Sequence, residues 1–340
     1  MKRYTYFLVF TLPLIVFFSI QQDGLYSFTA LFVFFVALPL LELNISPNTT
    51  NFDRATSRIE KNKTVYDIAL YLAVPVQYFV LFYFLNTIET SSFLSLGYFG
   101  KITAMGLCCG VMGLNVGHEL GHRNHRFVQF LGELLLLSSL DSHFLPYHNA
   151  GHHYKVATPE DPATARKNES VYAFWFRSHF SSYTMAWNLE FKRMERLGKR
   201  KYSIGNRMVV YSISNVVLLT LIYYLFGNHA LLAFLLAAAF GIALLETVNY
   251  IEHYGLLRKK TNGRYERPNP SHSWDSDHPI GRLYLFNLSR HSDHHKNGSK
   301  KYQLLNSNTE SPKMPTGYPG MMLLALIPPL WKRVMNKKLR

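Results

Sequence analysis

Cysteine is nearly absent from this sequence, which has two cysteines in 340 residues, the adjacent Cys108 and Cys109. Two neighbouring thiols cannot form a disulfide framework or an iron–sulfur or rubredoxin-type site, because those sites need several separated cysteines. The pair lies within an apolar run, where we expect buried, unreactive thiols. Rossmann glycines and flavin motifs are missing as well, so any electrons that the protein uses must come from outside.

Acidic residues are also scarce, with 21 Asp and Glu against 36 Lys and Arg and a formal net charge of +15. This excess favours attraction to anionic lipid headgroups and, more specifically, to an acidic soluble partner. A nucleic-acid partner is not expected, because no base-stacking or groove-reading motif accompanies the charge.

Charged residues are rare in six apolar runs, each long enough, or nearly so, to cross a bilayer core of ~30 Å as a helix. The first run follows Lys2 and Arg3 but is not followed by a small-residue cleavage site, so we expect a retained span and no signal peptide. Hydropathy therefore predicts six membrane spans, at 4–20, 25–43, 66–85, 94–116, 207–226 and 230–248.

Basic residues are missing from the short turns at 21–24, 86–93 and 227–229. Apart from Lys101, all of them lie near the N-terminus, in 44–65, in 123–207 or after 257. Because cytoplasmic loops are enriched in Lys and Arg, both termini and the long segments 117–206 and 249–340 are predicted to face the cytoplasm.

The 15 histidines are plentiful and clustered near the ends of the predicted spans. The stretch HELGH contains His118 and His122 at i and i+4, which share one helix face. His148 and His152 repeat this spacing, and His291 pairs with His294 or His295. With His153 and His253, these residues make a set of nine candidate nitrogen ligands, enough for two metal ions with four or five ligands each.

Other metal chemistries fit this pattern less well. An intramembrane zinc protease would use His118, His122 and Glu119 as base but would leave seven histidines idle. A metal transporter places its ligands at mid-membrane, whereas these histidines lie at the ends of spans. Imidazole alone does not name the metal. Glu119, Glu252 and Asp293 lie beside histidines and are expected to orient ring N–H groups, or else to be ordinary solvated carboxylates.

The segments HELGH, HNAGHH, NYIEHYG and SRHSDHH resemble the histidine boxes of integral-membrane di-iron oxygenases. More narrowly, they resemble those of the membrane alkane monooxygenases and the related xylene monooxygenase, with fatty-acid desaturases more distant. HHYKVATPEDPATAR, SHSW and GYPGMMLLALIPPLWKRVMN extend the resemblance over roughly residues 25–340. It implies that two irons are held by nine ligands: His118, His122, His148, His152, His153, His253, His291, His294 and His295.

The resemblance also implies a reaction. We expect O₂-dependent hydroxylation of the terminal methyl of medium- to long-chain n-alkanes taken from the bilayer, with electrons from rubredoxin and its NAD(P)H-dependent reductase. An unactivated methyl offers no group for acid–base chemistry, so a redox metal is needed. The family location is the bacterial inner membrane. Methyl-aromatic oxidation and fatty-acyl hydroxylation or desaturation remain alternatives.

Some positions depart from the family pattern or are expected to have supporting roles. Tyr147 replaces the usual Glu, which puts any supporting role at that position in doubt, and Asp275 replaces the usual Asn. Asp161 and His143 are expected to support the ligands; His272 and His278 are given the same or a structural role. We expect no ligand role for three further histidines: His125, His179 and His229.

The predicted fold is all-α and desaturase-like: one domain, 1–340, with a six-helix membrane bundle and a cytoplasmic histidine-rich cap. The apolar stretch 127–145 lies between two histidine boxes that must meet, so it is predicted to be re-entrant or buried under the cap, and not a seventh span. Phe34 is predicted to close the far end of the substrate channel, by analogy with the family's matching position.

Overall fold

The computed structural model describes residues 3–339 and confirms an all-helical protein. Its β-structure in that range is limited to one short hairpin, β1 Lys260–Thr261 and β2 Arg264–Tyr265, and one isolated bridge. The helices are α1 Arg3–Gln21, α2 Gly24–Glu42, α3 Arg54–Lys61, α4 Thr64–Ile88, α5 Leu96–Gly121, α6 Arg126–Leu137, α7 144–155, α8 Val171–Arg196, α9 Arg207–His253, α10 Pro279–Tyr284, α11 His291–Lys296, α12 Tyr318–Ala325 and α13 Pro328–Met335.

Within the described residues, five helices are long and apolar enough to cross a membrane: α1, α2, α4, α5 and α9. The longest, α9, has 47 residues and is interrupted at Gly227, whose φ of 78° and ψ of 179° are not helical. The two apolar runs predicted at 207–226 and 230–248 both lie in α9, one on each side of this break. Large apolar side chains such as Phe79, Phe82 and Leu225 are exposed on these helices, as in a membrane protein.

Two of these helices continue past the ends of their apolar runs. The run at 94–116 belongs to a helix that ends at Gly121, and the run at 230–248 to one that ends at His253. The hydropathy pattern marks the end of the apolar residues, but the helical backbone hydrogen bonds continue for about another turn. His118 and His253 are therefore held on helices and not on flexible loops.

The packing of α5 against α9 depends on small residues. A Cβ on Gly106 would lie only 2.8 Å from the carbonyl oxygen of Ala237, and a Cβ on Gly241 would lie 2.8 Å from the Cys109 Cβ. Glycine at both positions lets the two backbones approach closely, as is common between membrane helices. This contact brings the C-terminal ends of α5 and α9 to the same region of the molecule.

Helix α6 is the apolar element between the first two histidine boxes. Its 12 residues correspond to about 18 Å, short of the ~30 Å of a bilayer core. It packs against the end of α5, and the chain then reverses through Leu140, a residue with positive φ (58°). The turn leads directly into α7 and the second histidine box.

Three segments of π-helix interrupt the helices of residues 3–339: Val33–Ala37 in α2, Cys109–Asn115 in α5 and His148–His152 in α7. A π-turn contains one more residue than an α-turn, so it shifts the side chains that follow it around the helix axis. Each segment contains or precedes a residue that the sequence analysis singled out: Phe34, His118 or His153. Such segments often mark functional sites.

Candidate metal centre

The nine predicted ligand histidines converge on one place in the molecule. Their ring nitrogens form two groups, within each of which the candidate ligand atoms lie within 4.8 Å of one another. The two groups lie side by side, because His148 and His152 are neighbours in α7 and their ring centroids are 5.1 Å apart. One group contains five residues (His118, His122, His148, His153 and His294), and the other contains four (His152, His253, His291 and His295).

The five-histidine group is built from α5, α7 and α11. Nε2 of His118 lies 2.8 Å from Nε2 of His148, 2.9 Å from that of His122 and 3.2 Å from that of His294. His153 completes the group, with its Nε2 3.0 Å from Nε2 of His148.

The second histidine box is arranged differently from the sequence prediction. His148 and His152 were expected to share one helix face, but His148 pairs with His153, and His152 belongs to the other group. The physical reason is the π-helix at His148–His152, which puts residues i and i+5 on one face. One short segment can therefore supply both groups.

The four-histidine group joins α7, α9 and α11. Nε2 of His291 lies 2.9 Å from that of His295 and 3.1 Å from that of His253, and Nε2 of His152 lies 3.1 Å from that of His295. The sequence left open whether His291 pairs with His294 or with His295. In the structure, His291 shares its group with His295, at i+4, and His294 belongs to the other group.

The crowding of ring nitrogens tests whether a metal fits. Nε2 of His118 touches three other Nε2 atoms, yet one ring nitrogen carries at most one hydrogen. An imidazole Nε2 carries either one hydrogen or one lone pair, so at most one of the three contacts is a well-formed hydrogen bond. Buried ring nitrogens that converge without hydrogen bonds are costly unless a cation lies between them. The donor set fits a metal better than it fits a hydrogen-bond network.

The electrostatics agree with this interpretation. Burial, reinforced by the neighbouring imidazoles, lowers the pKa of six of these side chains well below 6.5, so they are neutral at physiological pH. Neutral imidazole is the form that binds metals. The six are His122, His148, His153, His291, His294 and His295.

Asp161 supports the four-histidine group from behind. Its Oδ2 lies 2.9 Å from Nδ1 of His152, and its Oδ1 accepts a 2.8 Å hydrogen bond from the hydroxyl of Tyr147. Burial opposes ionisation of Asp161, but His152 and the Thr164 hydroxyl outweigh it and lower the pKa of the carboxyl to about 2. Tyr147, where the family usually has Glu, therefore supports the carboxylate that orients His152.

Glu252 lies on the metal side of its histidine and not behind it. Its Oε2 is 3.2 Å from Nε2 of His291, the nitrogen that faces His253 and His295. Its Oε1 accepts a 2.7 Å hydrogen bond from the hydroxyl of Tyr318. The expected contact with a ring N–H on the far side of the imidazole is thus replaced by a contact at the centre of the group.

Glu119 and Asp293, by contrast, do not bond to the histidines beside them. Oε1 of Glu119 accepts hydrogen bonds from Arg123 at 2.7 Å and from the Tyr302 amide at 3.3 Å. Asp293 accepts hydrogen bonds from Asn297, Lys300 and the Asn306 amide. On a helix, the residue next to a ligand faces about 100° away from it, so both carboxylates join the surrounding scaffold instead.

The remaining histidines lie outside the two groups. His143 was expected to support the ligands, but its ring contacts Asp141, Ser182 and His179. His272 pairs with Glu266, and His278 contacts Ser276. His229 stacks on Tyr98, and His125 precedes α6 at an exposed position.

Helix α11 is held in place by two buried charges. Asp275, which replaces the usual Asn, accepts 2.7 Å hydrogen bonds from both the amide and the hydroxyl of Ser292. Arg290 donates to Asp277 at 3.2 Å and to the carbonyl of Leu305 at 2.8 Å. These bonds fix the start of α11, so that its three histidines reach both groups.

An apolar cavity of about 90 Å³ ends at the five-histidine group. Its walls come mainly from α2, α5, α9, α10 and α12, and His118 is one of its lining residues. Phe34 also lines it and is 5% exposed, with its ring 4.9 Å from that of Tyr284. Asn115, one turn before His118, adds a buried Nδ2 that has no hydrogen-bond partner among residues 3–339.

Comparison with known proteins is consistent with this geometry. Residues 91–323 match the model of the fatty acid desaturase family. An alkane 1-monooxygenase of Pseudomonas putida is 38% identical over 320 residues, which cover 93% of this chain and 78% of that protein. Alkane 1-monooxygenase 1 of Alcanivorax borkumensis is 36% identical over 330 residues, with coverage of 96% and 81%. This chain belongs to the alkane 1-monooxygenases, within the fatty acid desaturase family.

The xylene/toluene monooxygenase hydroxylase component XylM of Pseudomonas putida is a further relative, 29% identical over 242 residues, with coverage of 71% of this chain and 64% of XylM. The alkane 1-monooxygenases therefore match more of the chain, at higher identity. Membership confirms the predicted family and makes the chain a membrane oxidoreductase of the monooxygenase class.

Some residues of this alkane 1-monooxygenase site were not found from the sequence. Asn115 and Tyr318 belong to segments that carry no metal-ligand pattern, and their places became clear only in the cavity wall. Asn115 precedes His118 by three residues, a spacing that puts both on one helix face and could have pointed to it.

Proposed function

We propose that this chain is a non-haem di-iron monooxygenase that hydroxylates the terminal methyl group of medium- to long-chain n-alkanes to primary alcohols. The observation that carries the proposal is the apolar cavity that ends at His118. It joins an almost entirely apolar space, suited to a hydrocarbon, to a cluster of nine imidazoles that could hold metal ions.

The metal would be two iron ions. Five histidines would hold one ion, four would hold the other, and the Glu252 carboxylate lies close enough to the four-histidine group to add an oxygen ligand. Imidazole with carboxylate suits iron, as well as zinc and copper. Bound iron supplies the redox chemistry that activates O₂, which no side chain of this chain can supply.

The cavity residues bind and orient the hydrocarbon. An alkane offers no hydrogen-bonding group, so only the shape of the wall selects the carbon that lies next to His118. Phe34, in the π-helix Val33–Ala37, packs against Tyr284 in the cavity wall, where it would limit the length of the cavity. The unpartnered Asn115 amide at the histidine end is placed to donate a hydrogen bond to the hydroxyl of the product.

The orientation in the membrane follows from α9. Its 47 residues correspond to about 70 Å, more than twice the bilayer core, and it is broken at Gly227. Two crossings in α9 give six in total, so the ends of α5 and α9 emerge on the same side, and His118 and His253 can meet there. The positive-inside rule makes that side the cytoplasm of a bacterial inner-membrane protein. The whole chain, 1–340, would be one domain.

The proposed electron donor is a rubredoxin, itself reduced by an NAD(P)H-dependent rubredoxin reductase. A polar groove of about 1090 Å³ is lined by four lysines, Lys259, Lys313, Lys337 and Lys338, and by two glutamates, Glu266 and Glu310. Trp274 also lines this groove, and its amide donates to the carbonyl oxygen of Glu252, next to the four-histidine group. A small acidic protein on this surface would be close to the metal and attracted by charge.

The direct test uses membranes that contain the protein, with rubredoxin, its reductase, NADH and O₂. Octane, hexadecane and xylene are supplied separately, and the products and bound metals are identified. We expect two irons per chain, a primary alcohol from an alkane and rates that fall as salt is raised. Bound zinc, activity without O₂, or oxidation of xylene alone would contradict the proposal. His118→Ala should be inactive, and His125→Ala should behave as the parent.

Phe34→Ala is expected to lengthen the cavity and shift the preferred alkane to longer chains, by several-fold in the ratio of hexadecane to octane turnover, since each extra methylene buried is worth about 0.8 kcal/mol. Product analysis on a ladder of alkanes measures the shift. Phe32→Ala, at a 58% exposed position of the same helix, is the matched control. An unchanged profile in Phe34→Ala would show that this residue does not limit chain length.

A further inference from the structure

A second group of potential metal ligands lies apart from the nine histidines. It consists of Asp141, His143 and His179, whose candidate ligand atoms lie within 4.8 Å of one another. Asp141 is 2% and His143 7% exposed, and both precede α7, whereas His179 is a partly exposed residue of α8. The roles proposed above use none of these three side chains.

The hydrogen bonds of His143 define its tautomer. The hydroxyl of Ser182 donates to the carbonyl oxygen of His179 at 2.8 Å, so that hydroxyl has no further hydrogen to give. Nε2 of His143 lies 3.3 Å from the hydroxyl oxygen of Ser182 and must be the donor in that contact. In a neutral imidazole, Nδ1 then carries a lone pair.

That lone pair faces an acceptor. Nδ1 of His143 lies 2.8 Å from Oδ1 of Asp141, yet this carboxylate oxygen is buried and has no partner in hydrogen-bond geometry among residues 3–339. Two acceptors at this distance repel each other unless a cation lies near both. The 2.8 Å distance is that of an ion pair, but the geometry is not that of a hydrogen bond, and it suits two ligand atoms that face a shared ion.

The charge around the cluster is also unbalanced. Glu246 of α9 is 5% exposed, and its Oε1 lies 3.9 Å from Nδ1 of His179. In residues 3–339, Asp141 and Glu246 have no Lys or Arg nitrogen within 4.0 Å. Burial lowers the pKa of His179, so its imidazole is neutral and does not supply the missing charge. The carboxyl groups of Asp141 and Glu246 therefore face the two imidazoles without a Lys or Arg partner among residues 3–339, an arrangement that a divalent cation would satisfy.

We propose that Asp141, His143, His179 and Glu246 form a separate site for one divalent cation of the zinc type. Two imidazoles and two carboxylates are a ligand set that zinc accepts in a closed, tetrahedral structural site. Tetrahedral ligands at about 2.0–2.1 Å from the ion are about 3.3 Å apart, and the Asp141–His143 and His179–Glu246 contacts are 2.8 and 3.9 Å. Asp141, His143 and His179 already lie within 4.8 Å of one another, whereas the Glu246 side chain would have to move toward them to become the fourth ligand.

The site would link the turn before α7 to α8 and α9. This link matters because Phe144, the neighbour of His143, stacks on the His148 ring with centroids 4.6 Å apart. A cation at this position would hold Phe144, and therefore one wall of the five-histidine group, without touching the ligands of the other metals. Its role would be to tie the turn before α7 to α8 and α9.

The test uses the full-length protein in detergent with its iron already bound. Zinc is added, excess is removed, and both metals are counted; cobalt(II) then replaces zinc as a coloured probe, since tetrahedral cobalt absorbs strongly in the visible range. We expect one zinc per chain beyond the iron, and tetrahedral cobalt bands. Asp141→Asn and His179→Gln should weaken zinc binding by at least about 100-fold while iron content stays unchanged. His229→Gln, in a histidine that stacks on Tyr98, is the matched control.

Equal zinc content in the parent and in both variants would overturn the proposal, as would absence of zinc from all of them after incubation. If zinc is lost together with iron, the added metal was in the histidine centre, and the proposal also fails. The result is independent of the proposed alkane chemistry, because iron content and alcohol formation are measured separately. Because the two substitutions lie in different segments, the turn before α7 and helix α8, one variant can still decide the question if the other misfolds.

Discussion

The two histidine groups are neighbours made of the same side chain, yet their surroundings differ. The five-histidine group borders the apolar cavity, and Phe144 stacks on its His148. In residues 3–339, its Nε2 atoms face one another at 2.8–3.2 Å, and no Asp or Glu oxygen lies within 4.0 Å of its ring nitrogens. The four-histidine group instead has two carboxylates, Asp161 behind His152 and Glu252 against His291.

This difference shows how a metal centre can divide its tasks. Carboxylates neutralise part of a bound cation's charge and favour its higher oxidation state, whereas imidazoles alone leave the charge intact. The group with one fewer histidine is the one that has the carboxylates. The group without them borders the apolar cavity. We expect the two metals to differ in how tightly they are held.

The largest effect should come from single substitutions of two ligands of α11, one from each group. His291→Ala leaves three histidines in its group, and His294→Ala leaves four in the other, so His291→Ala should lose iron more completely. Each should reduce alcohol formation by more than the ~100-fold typical of losing an outer hydrogen bond. Iron content and turnover are the measurements, and Lys296→Ala, at an exposed position of α11, is the control. Equal loss of iron from both variants would contradict the asymmetry.

Removing the carboxylate behind His152 should have the next largest effect. Asp161→Asn keeps the shape but loses the charge that orients the ring, which should weaken iron binding about 10–100-fold. Competition with an iron chelator measures it. Tyr147→Phe, which removes only a hydrogen bond to Asp161, should cost less, and Glu160→Gln, at a 58% exposed side chain, should cost nothing. If Asp161→Asn keeps its iron as firmly as the parent, this support is dispensable.

Glu252 sharpens the comparison, because its carboxylate meets the metal-facing nitrogen. Glu252→Gln should reduce iron affinity roughly 10-fold and change the spectrum of the iron in the four-histidine group. Mössbauer spectroscopy on iron-57 protein distinguishes the two sites. Tyr318→Phe removes only the 2.7 Å hydrogen bond to the same carboxylate and should leave the spectrum close to that of the parent. An unchanged spectrum in Glu252→Gln would place the residue outside the metal's reach.

The smallest effect on the metals is expected at Glu119, which is adjacent to His118 in sequence but bonds to Arg123. Glu119→Gln should retain both irons and most activity. It should lower the free energy of unfolding by about 1–3 kcal/mol, since it weakens a buried, charged hydrogen bond. Thermal unfolding and metal analysis test both statements. Loss of iron would show that Glu119 acts on the histidines after all.

Much of the site could be predicted from the sequence, because metal ligation needs particular side chains. Nine histidines at close spacings near the ends of apolar runs indicate metal ligation more strongly than any structural role, and all nine meet in the structure. The predictions about carboxylates were less successful. Glu119, Glu252 and Asp293 are equivalent by adjacency, yet only Glu252 touches a ligand, since direction around a helix axis decides contact.

By itself, the sequence determined that the protein has membrane-spanning helices and a metal-binding site. Its composition specified long apolar helices with the charged residues between them, and its clustered histidines specified a site for metal ions. Only the tertiary structure decided how those histidines divide into five and four, because a π-helical segment at 148–152 sends His152 and His153 in different directions. The close packing of α5 on α9 likewise brought the histidine-bearing ends of these two helices together. Side-chain direction depends on backbone geometry and packing between distant segments, neither of which a local pattern of residues contains.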